Sequence, residues 1–389
     1  MIPYSRQLID EDDIDEIVET LKSDYLTQGP KVPEFEKAVS SYVGSSFGVA
    51  SNSATSSLHI ACLALGLGKN DYLWTSPISF VASANCGLYC GAQVDFVDIN
   101  PFTFNLDVEL LEQKLLEAKK INKLPKVIVP VHLAGQSCDM EKIKKLANDF
   151  GFKIIEDASH AIGGSYKGQK IGNCKYSDIC IFSFHPVKII TTCEGGLATT
   201  NNEDLALKMM ALRSHGIIRN NFLSKESHGA WYYEQVDLGF NYRMNDLEAV
   251  LGLSQLKKLD LFIDARNKIA STYQKILADH PELIFQEVID DCISAFHLFV
   301  VRLKGKKKTL HNEYFNELRS NGYFVNLHYI PIYLQPYYKK MGFDRKLFPE
   351  SERYYSEAIS LPVYPGLQED EIKNVIHILD KPVGFQSIF

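Results

Sequence analysis

The chain has 389 residues, 46% hydrophobic and 23% charged, an ordinary globular composition with length enough for two domains. A net charge of −7 argues against nucleic acid as a main partner, because phosphate backbones select basic surfaces. No signal peptide opens the chain, no stretch is apolar for long enough to span a membrane, and the eight cysteines include no CxxC pair. A cytoplasmic protein with reduced thiols, no membrane association and no metal site is expected.

The first element is a helix over 10–24, where Ile14, Ile17, Val18 and Leu21 recur at helical spacing behind acids suited to a helix N-terminus. An irregular piece, 25–31, follows. Strands and helices then alternate: strand 47–50, helix 55–65, strand 72–75, helix 79–89, strand 94–97, helix 107–120, strand 127–131, helix 140–150 and strand 153–156. This βαβα order predicts an α/β fold with a mostly parallel sheet covered on both faces. Strands 179–184 and 196–199 come without a full helix between them, so one part of the sheet should turn antiparallel. A large domain over 1–255 is expected, its N-terminal segment packing on the smaller domain. A smaller α+β domain over 256–389 follows, with helix 256–277, strand 296–303, helix 310–320 and helix 368–379. The run Lys304-Gly-Lys-Lys-Lys308 reads as a solvated hairpin loop.

Ligands of such sheets sit beyond the carboxyl ends of the strands, and the chemistry-bearing residues gather there. Asp157 ends the apolar strand Lys153-Ile-Ile-Glu-Asp157, and His160 follows. Lys188 lies 31 positions later in Phe182-Ser-Phe-His-Pro-Val-Lys188, before Glu194-Gly-Gly196. An acid and a lysine so placed are what pyridoxal 5'-phosphate needs: the acid keeps the pyridine nitrogen protonated, and the amine bonds the aldehyde and then moves the proton. A carboxylate after an apolar run calls for a charged partner, although Asp157 could also be a helix cap. Apolar neighbours favour the neutral amine of Lys188. Asn52-Ser-Ala-Thr55-Ser56 joins a strand to a helix, where free N–H groups and hydroxyls suit a phosphate as well as they suit simple capping. Ser183 could add a hydroxyl to the phosphate. Phe80 could stack on a flat ring or belong to the core. Asn241-Tyr-Arg243 suits a further phosphate or carboxylate contact or a loop cap.

These motifs, with Tyr25-Leu-Thr-Gln-Gly-Pro-Lys31 and Gly239-Phe-Asn-Tyr-Arg-Met244, resemble the DegT/DnrJ/EryC1 family of sugar aminotransferases along nearly the whole chain. The resemblance implies a fold type I transferase dependent on pyridoxal 5'-phosphate, with a seven-stranded large domain and pyridoxamine 5'-phosphate as the intermediate form of the cofactor. It makes Lys188 the lysine that carries the cofactor, Asp157 the partner of the ring nitrogen, His160 a neighbour of the ring, Phe80 the stacking aromatic, and Thr55, Ser56 and Ser183 the phosphate cup. Asn241 matches the asparagine that family dimers lend to the neighbouring site, which implies a homodimer with shared active sites. The ends of the chain most resemble members that aminate C4 of a UDP-linked 2-acetamido-2,6-dideoxy-4-keto-hexose in pseudaminic acid biosynthesis, with L-glutamate as donor and 2-oxoglutarate as product. By the same resemblance Tyr4, Thr27, His328 and Tyr329 are candidate substrate contacts. The alternatives are a sugar dehydratase or a C3-aminotransferase of the same fold, or a non-enzymatic sugar-nucleotide sensor. Relatives that dehydrate replace the lysine with histidine, and Lys188 argues against that. Cys193 stands where many relatives carry glycine, and Asn52-Ser-Ala-Thr55 replaces their commoner Ser-Gly-Thr.

Overall fold

The computed structural model describes residues 1–219 and 229–382. Its frame is a seven-stranded sheet made of β1 (Phe47–Ser51), β2 (Tyr72–Thr75), β3 (Gln93–Phe96), β4 (Val127–Val129), β5 (Lys153–Asp157), β6 (Ile179–Ser183) and β7 (Gly196–Thr200). The spatial order is β1-β7-β6-β5-β4-β2-β3. β7 runs antiparallel to both of its neighbours, and the remaining pairs are parallel. The turn of direction has the cause read from the sequence: no helix links β6 to β7, and a parallel return needs a crossover. Val127, Ile128, Val129, Ile154 and Ile155 are fully buried, as strands covered on both faces must be.

The helices expected between these strands are present, and several differ in extent. The helix before β3 is Ala82–Tyr89, so Ser79 and Phe80 lie in the irregular entry to it rather than in its first turn. The helix expected over 256–277 is present as Leu259–Leu277, and a separate helix, Asp246–Leu256, ends just before it at Lys257 and Lys258. Helices Lys31–Val43 and Glu203–Leu212 were not read from the sequence. The first of these carries Pro33 in its first turn, where the missing N–H costs no helical bond.

A separate core joins Leu259–Leu277 to residues up to Leu379 around a three-stranded antiparallel sheet of Leu283–Phe285, Phe299–Leu303 and Ala358–Leu361. The N-terminal strand Ile2–Pro3 pairs in parallel with Tyr323–Phe324 of this part. The lysine run at 304–308 is exposed except at Lys307, but it is not a hairpin loop. Gly305–Lys308 is a helical turn, and Lys307 is buried with its ammonium on the Tyr314 hydroxyl (2.9 Å) and the Leu379 carbonyl (2.5 Å). The long aliphatic stem packs inward while the charge finds oxygen partners. No described helix is long and apolar enough to cross a membrane.

Candidate active site

The carboxyl ends of β1, β5 and β6 open on one cavity of about 660 Å³. The phosphate-suited turn, Ser53 to Thr55, lies on one side of it. Ser53 is the N-cap of helix Ala54–Ala64, accepting from the Ser56 N–H, so the free N–H groups of the first turn face the cavity mouth. β7 passes close behind this turn. A Cβ on Gly196 would come within 2.4 Å of the backbone at Ser53 and Ala54, so only glycine lets the strand lie there.

Asp157 is the last residue of β5 and is 5% exposed. Its Oδ2 accepts from the Ser83 hydroxyl at 2.6 Å, and its Oδ1 from the Ser159 hydroxyl at 2.6 Å and the Ser159 N–H at 3.2 Å. Ser83 is backed in turn by Ser79 at 2.7 Å. A carboxylate offers about four acceptor sites, so capacity remains for a donor in the cavity. The neighbouring Glu156 projects to the other face of the sheet, where it meets His132 at 2.8 Å, as strand alternation requires.

Lys188 faces the same cavity. Among the described residues its ammonium has no hydrogen-bond or ion-pair partner. Burial lowers its pKa from 10.5 to about 8, and the attraction of Asp157 only partly opposes this. Lys188 is the one lysine or arginine among the described lining residues. Three histidines stand near it, uncharged. Burial first, and the charge of Lys188 next, holds His328 at about 3. Burial, then Lys188 and His328, keeps His160 well below the ordinary imidazole value, and burial, His160 and Lys188 do the same to His297. The Ala134 N–H points at His160 Nδ1 (3.3 Å), which leaves the ring proton on Nε2 to donate to the Tyr329 hydroxyl (3.1 Å). Phe80, 58% exposed, overhangs the cavity with its ring centroid 6.2 Å from that of Tyr329.

The cavity thus collects Tyr4, Thr55, Phe80, Asp157, His160, Ser183, Lys188, His328 and Tyr329 from the residues singled out in the sequence. Three others lie elsewhere. Ser56 is buried one step behind the turn, and its hydroxyl is spent on the Asn52 side chain at 2.7 Å. This is a structural use for the asparagine that departs from the family pattern. Thr27 and Asn241 are exposed and line no part of the cavity of their own chain. Sequence reasoning missed Ser53, Ser83 and Ser159. Ser159 carried a usable signal, because a residue two after an Asp commonly donates its N–H back to the carboxylate. Ser83 reaches Asp157 only through the fold.

A buried acid and a neutral-prone amine share one cavity, with free helical N–H groups and serine hydroxyls beside them. This arrangement suits a flat cation-forming ring with a phosphate tail, and the sheet order suits the same ligand. Fold and site together define an aminotransferase of the pyridoxal-phosphate-dependent fold type I class. The profile of the DegT/DnrJ/EryC1/StrS aminotransferase family matches residues 7–380, and the chain belongs to that family. It is 39% identical over 381 residues to the UDP-4-amino-4,6-dideoxy-N-acetyl-beta-L-altrosamine transaminase of Campylobacter jejuni, covering 98% of this chain and 96% of that one. Among solved structures it is similar to Helicobacter pylori PseC, an aminotransferase of pseudaminic acid biosynthesis (TM-score 0.88, 32% identity, 97% of this chain and 98% of that one). It also resembles the PLP-form of the Streptococcus pneumoniae sugar aminotransferase Spr1654 (TM-score 0.87, 31% identity, 97% of each chain).

Proposed function

We propose that the protein transfers an amino group from L-glutamate to the C4 ketone of a UDP-linked 2-acetamido-2,6-dideoxy-4-keto-hexose, using pyridoxal 5'-phosphate, in the biosynthesis of pseudaminic acid or a related surface sugar. The observation that carries this reading is the single cavity shared by the Asp157 carboxylate and the Lys188 amine. The kinship to transaminases of that substrate supports the sugar.

Asp157 would accept the N–H of the pyridine ring, Lys188 Nζ would bond its aldehyde, and Phe80 would cover one face. Ser53, Thr55, Ser183 and the N–H groups of helix Ala54–Ala64 would hold the phosphate. When bound, the cofactor supplies an electron sink for the carbon that loses a proton. Ser83 and Ser159 hold Asp157 against rotation, so its charge stays where the ring nitrogen needs it. Once free of the cofactor, Lys188 Nζ would be the base for the α-proton of glutamate. In the return half-reaction it would be the acid that gives a proton to C4 of the sugar. The uncharged His160 and His328 add no cation beside Lys188 on the cavity wall. Tyr4, His328 and Tyr329 form the wall that would meet the sugar.

The chain also pairs with a second copy in this reading. Asn241 is exposed, outside its own cavity, and follows Trp231 and Leu238, which are 79% and 78% exposed. Large apolar side chains left in water mark an interaction surface, and Asn241 would reach the phosphate of the other copy.

The test is spectroscopic. The protein supplied with pyridoxal phosphate should show a visible band that L-glutamate removes and 2-oxoglutarate restores, and mass spectrometry should find an aminated sugar from the UDP-4-keto substrate. A band indifferent to glutamate, or a product that has lost water instead of gaining nitrogen, contradicts the reading.

A further inference from the structure

The peptide plane just before Lys188 is held at both ends. Its N–H, that of Lys188, donates to the His185 carbonyl at 2.8 Å. Its C=O, that of Val187, accepts the Ser5 hydroxyl at 2.7 Å. The first contact is local. The second comes from 182 positions away, and no other donor to this carbonyl occurs among the described residues. Ser5 is buried.

The hydroxyl is itself oriented. Its one proton goes to Val187, so toward Arg266, whose Nη2 lies at 3.5 Å, the oxygen can only accept. Arg266 is fully buried and has no carboxylate partner among the described residues. Its Nη1 donates to the carbonyls of Val363 (2.7 Å) and Phe296 (3.2 Å). The residues around Ser5 are tied to the same part of the molecule: the Ile2 N–H to Gly322 O at 2.9 Å, and the Val363 N–H to Tyr4 O at 3.0 Å. The N-terminal strand is thus laced to the C-terminal core and meets the lysine loop through one hydroxyl.

A strand that served only to cover that core would need no bond to the lysine loop. We propose that Ser5 is a positioning residue for amino transfer: held by Arg266, it fixes the Val187–Lys188 peptide and so aims the Lys188 amine. The inference rests on the reading of Lys188 as the amine that bonds the cofactor. A tilt of that peptide swings a four-carbon side chain, and a displacement of about 1 Å at a reacting atom costs on the order of a hundredfold in rate.

The test compares full-length wild type, Ser5→Ala, Ser5→Thr and Lys188→Ala. Two quantities are read: steady-state kcat and KM, and the pH dependence of pyridoxal phosphate capture by the apoproteins, followed by absorbance. A neutral amine is the nucleophile, so wild-type capture should rise through a midpoint of about 8. Ser5→Ala should lower kcat about tenfold with KM changed less than about twofold. It should also raise the capture midpoint, because a loosened lysine regains water. Ser5→Thr, which keeps the hydroxyl, should restore both. Wild-type kcat and midpoint in Ser5→Ala overturn the proposal. So does a loss that Ser5→Thr shares, or one explained by a fall in Tm that leaves part of the protein unfolded at the assay temperature. Capture by Lys188→Ala equal to wild type refutes the underlying reading of the site, whatever Ser5 does.

Discussion

At the scale of single residues the site is a problem in charge placement. Lys188 must be neutral enough to attack, yet the same cavity holds an acid that would favour its charged form. Burial outweighs the attraction of Asp157 and lowers the amine to about 8. The three histidines around it follow the same rule, and they carry a consequence for stability. An imidazole that stays neutral when folded binds fewer protons than its unfolded counterpart below pH 6.5, so stability must fall as the pH drops through that value. For His328, held at about 3, the window runs from 6.5 down to about 3, with a slope of about 1.4 kcal/mol per pH unit. Denaturant titrations of His328→Gln should show a slope shallower by about that amount than wild type. An unchanged slope would mean that His328 takes up its proton in the folded state. Asp157, Lys188 and Ser183 were legible because strand ends are legible, and the chemistry of the site needs an acid and an amine at such ends. The serines that hold Asp157 were not, because a hydroxyl carries no signal until the fold brings its partner near. Cys193 illustrates the reverse case. Its φ of 67° lies in the left-handed region, which explains why glycine is common there.

Elements were readable where their signals were local. The strands β2 to β6 announce themselves by apolar runs, and the helices after β3 and β4 by their Asp caps as well. Helix Lys31–Val43 does not, because its cap is borrowed. Pro30 offers no side-chain acceptor. The carboxylate of Asp246, fully buried and more than two hundred positions away, accepts from the Gly29 and Lys31 N–H groups at 2.9 Å each. Asp246 also sits in the first turn of helix Asp246–Leu256, so one acid organises the starts of two packed helices. Replacing it with alanine leaves two amides unpartnered, and Asp246→Ala should lower stability by about 2–3 kcal/mol in equilibrium unfolding. A loss under about 0.5 kcal/mol would show that water satisfies the amides instead. The boundary between Asp246–Leu256 and Leu259–Leu277 is legible in the sequence only to within three residues, with the second helix expected to start at 256. Apolar periodicity continues across it, and no Gly or Pro marks the bend at Lys257 and Lys258.

At the scale of the molecule, the α/β order of the first part and the one antiparallel strand followed from the connections alone. The N-terminal segment was expected against the smaller domain, but its particular path was not read. Nothing in Ile2-Pro-Tyr-Ser5 says that it pairs with Tyr323–Phe324 and reaches Val187. Asn241 is exposed and lines no part of its own cavity, an arrangement that the proposed sharing of sites between two copies would use. If two copies share their sites, Lys188→Ala and Asn241→Asp complement each other: in the mixed dimer one site lacks both residues and the other has both. Mixing the two inactive variants after mild dissociation should therefore restore about a quarter of wild-type activity. No recovery, with mixed dimers shown by mass, would place Asn241 outside the site.

The account rests on Lys188 as the amine that bonds the cofactor, and peptide mapping reads this directly. Protein equilibrated with pyridoxal phosphate is reduced with borohydride, digested and analysed by mass spectrometry. The phosphopyridoxyl mass should fall on the peptide containing Lys188 at near one label per chain. A label spread over surface lysines, or fixed on another residue, would contradict it.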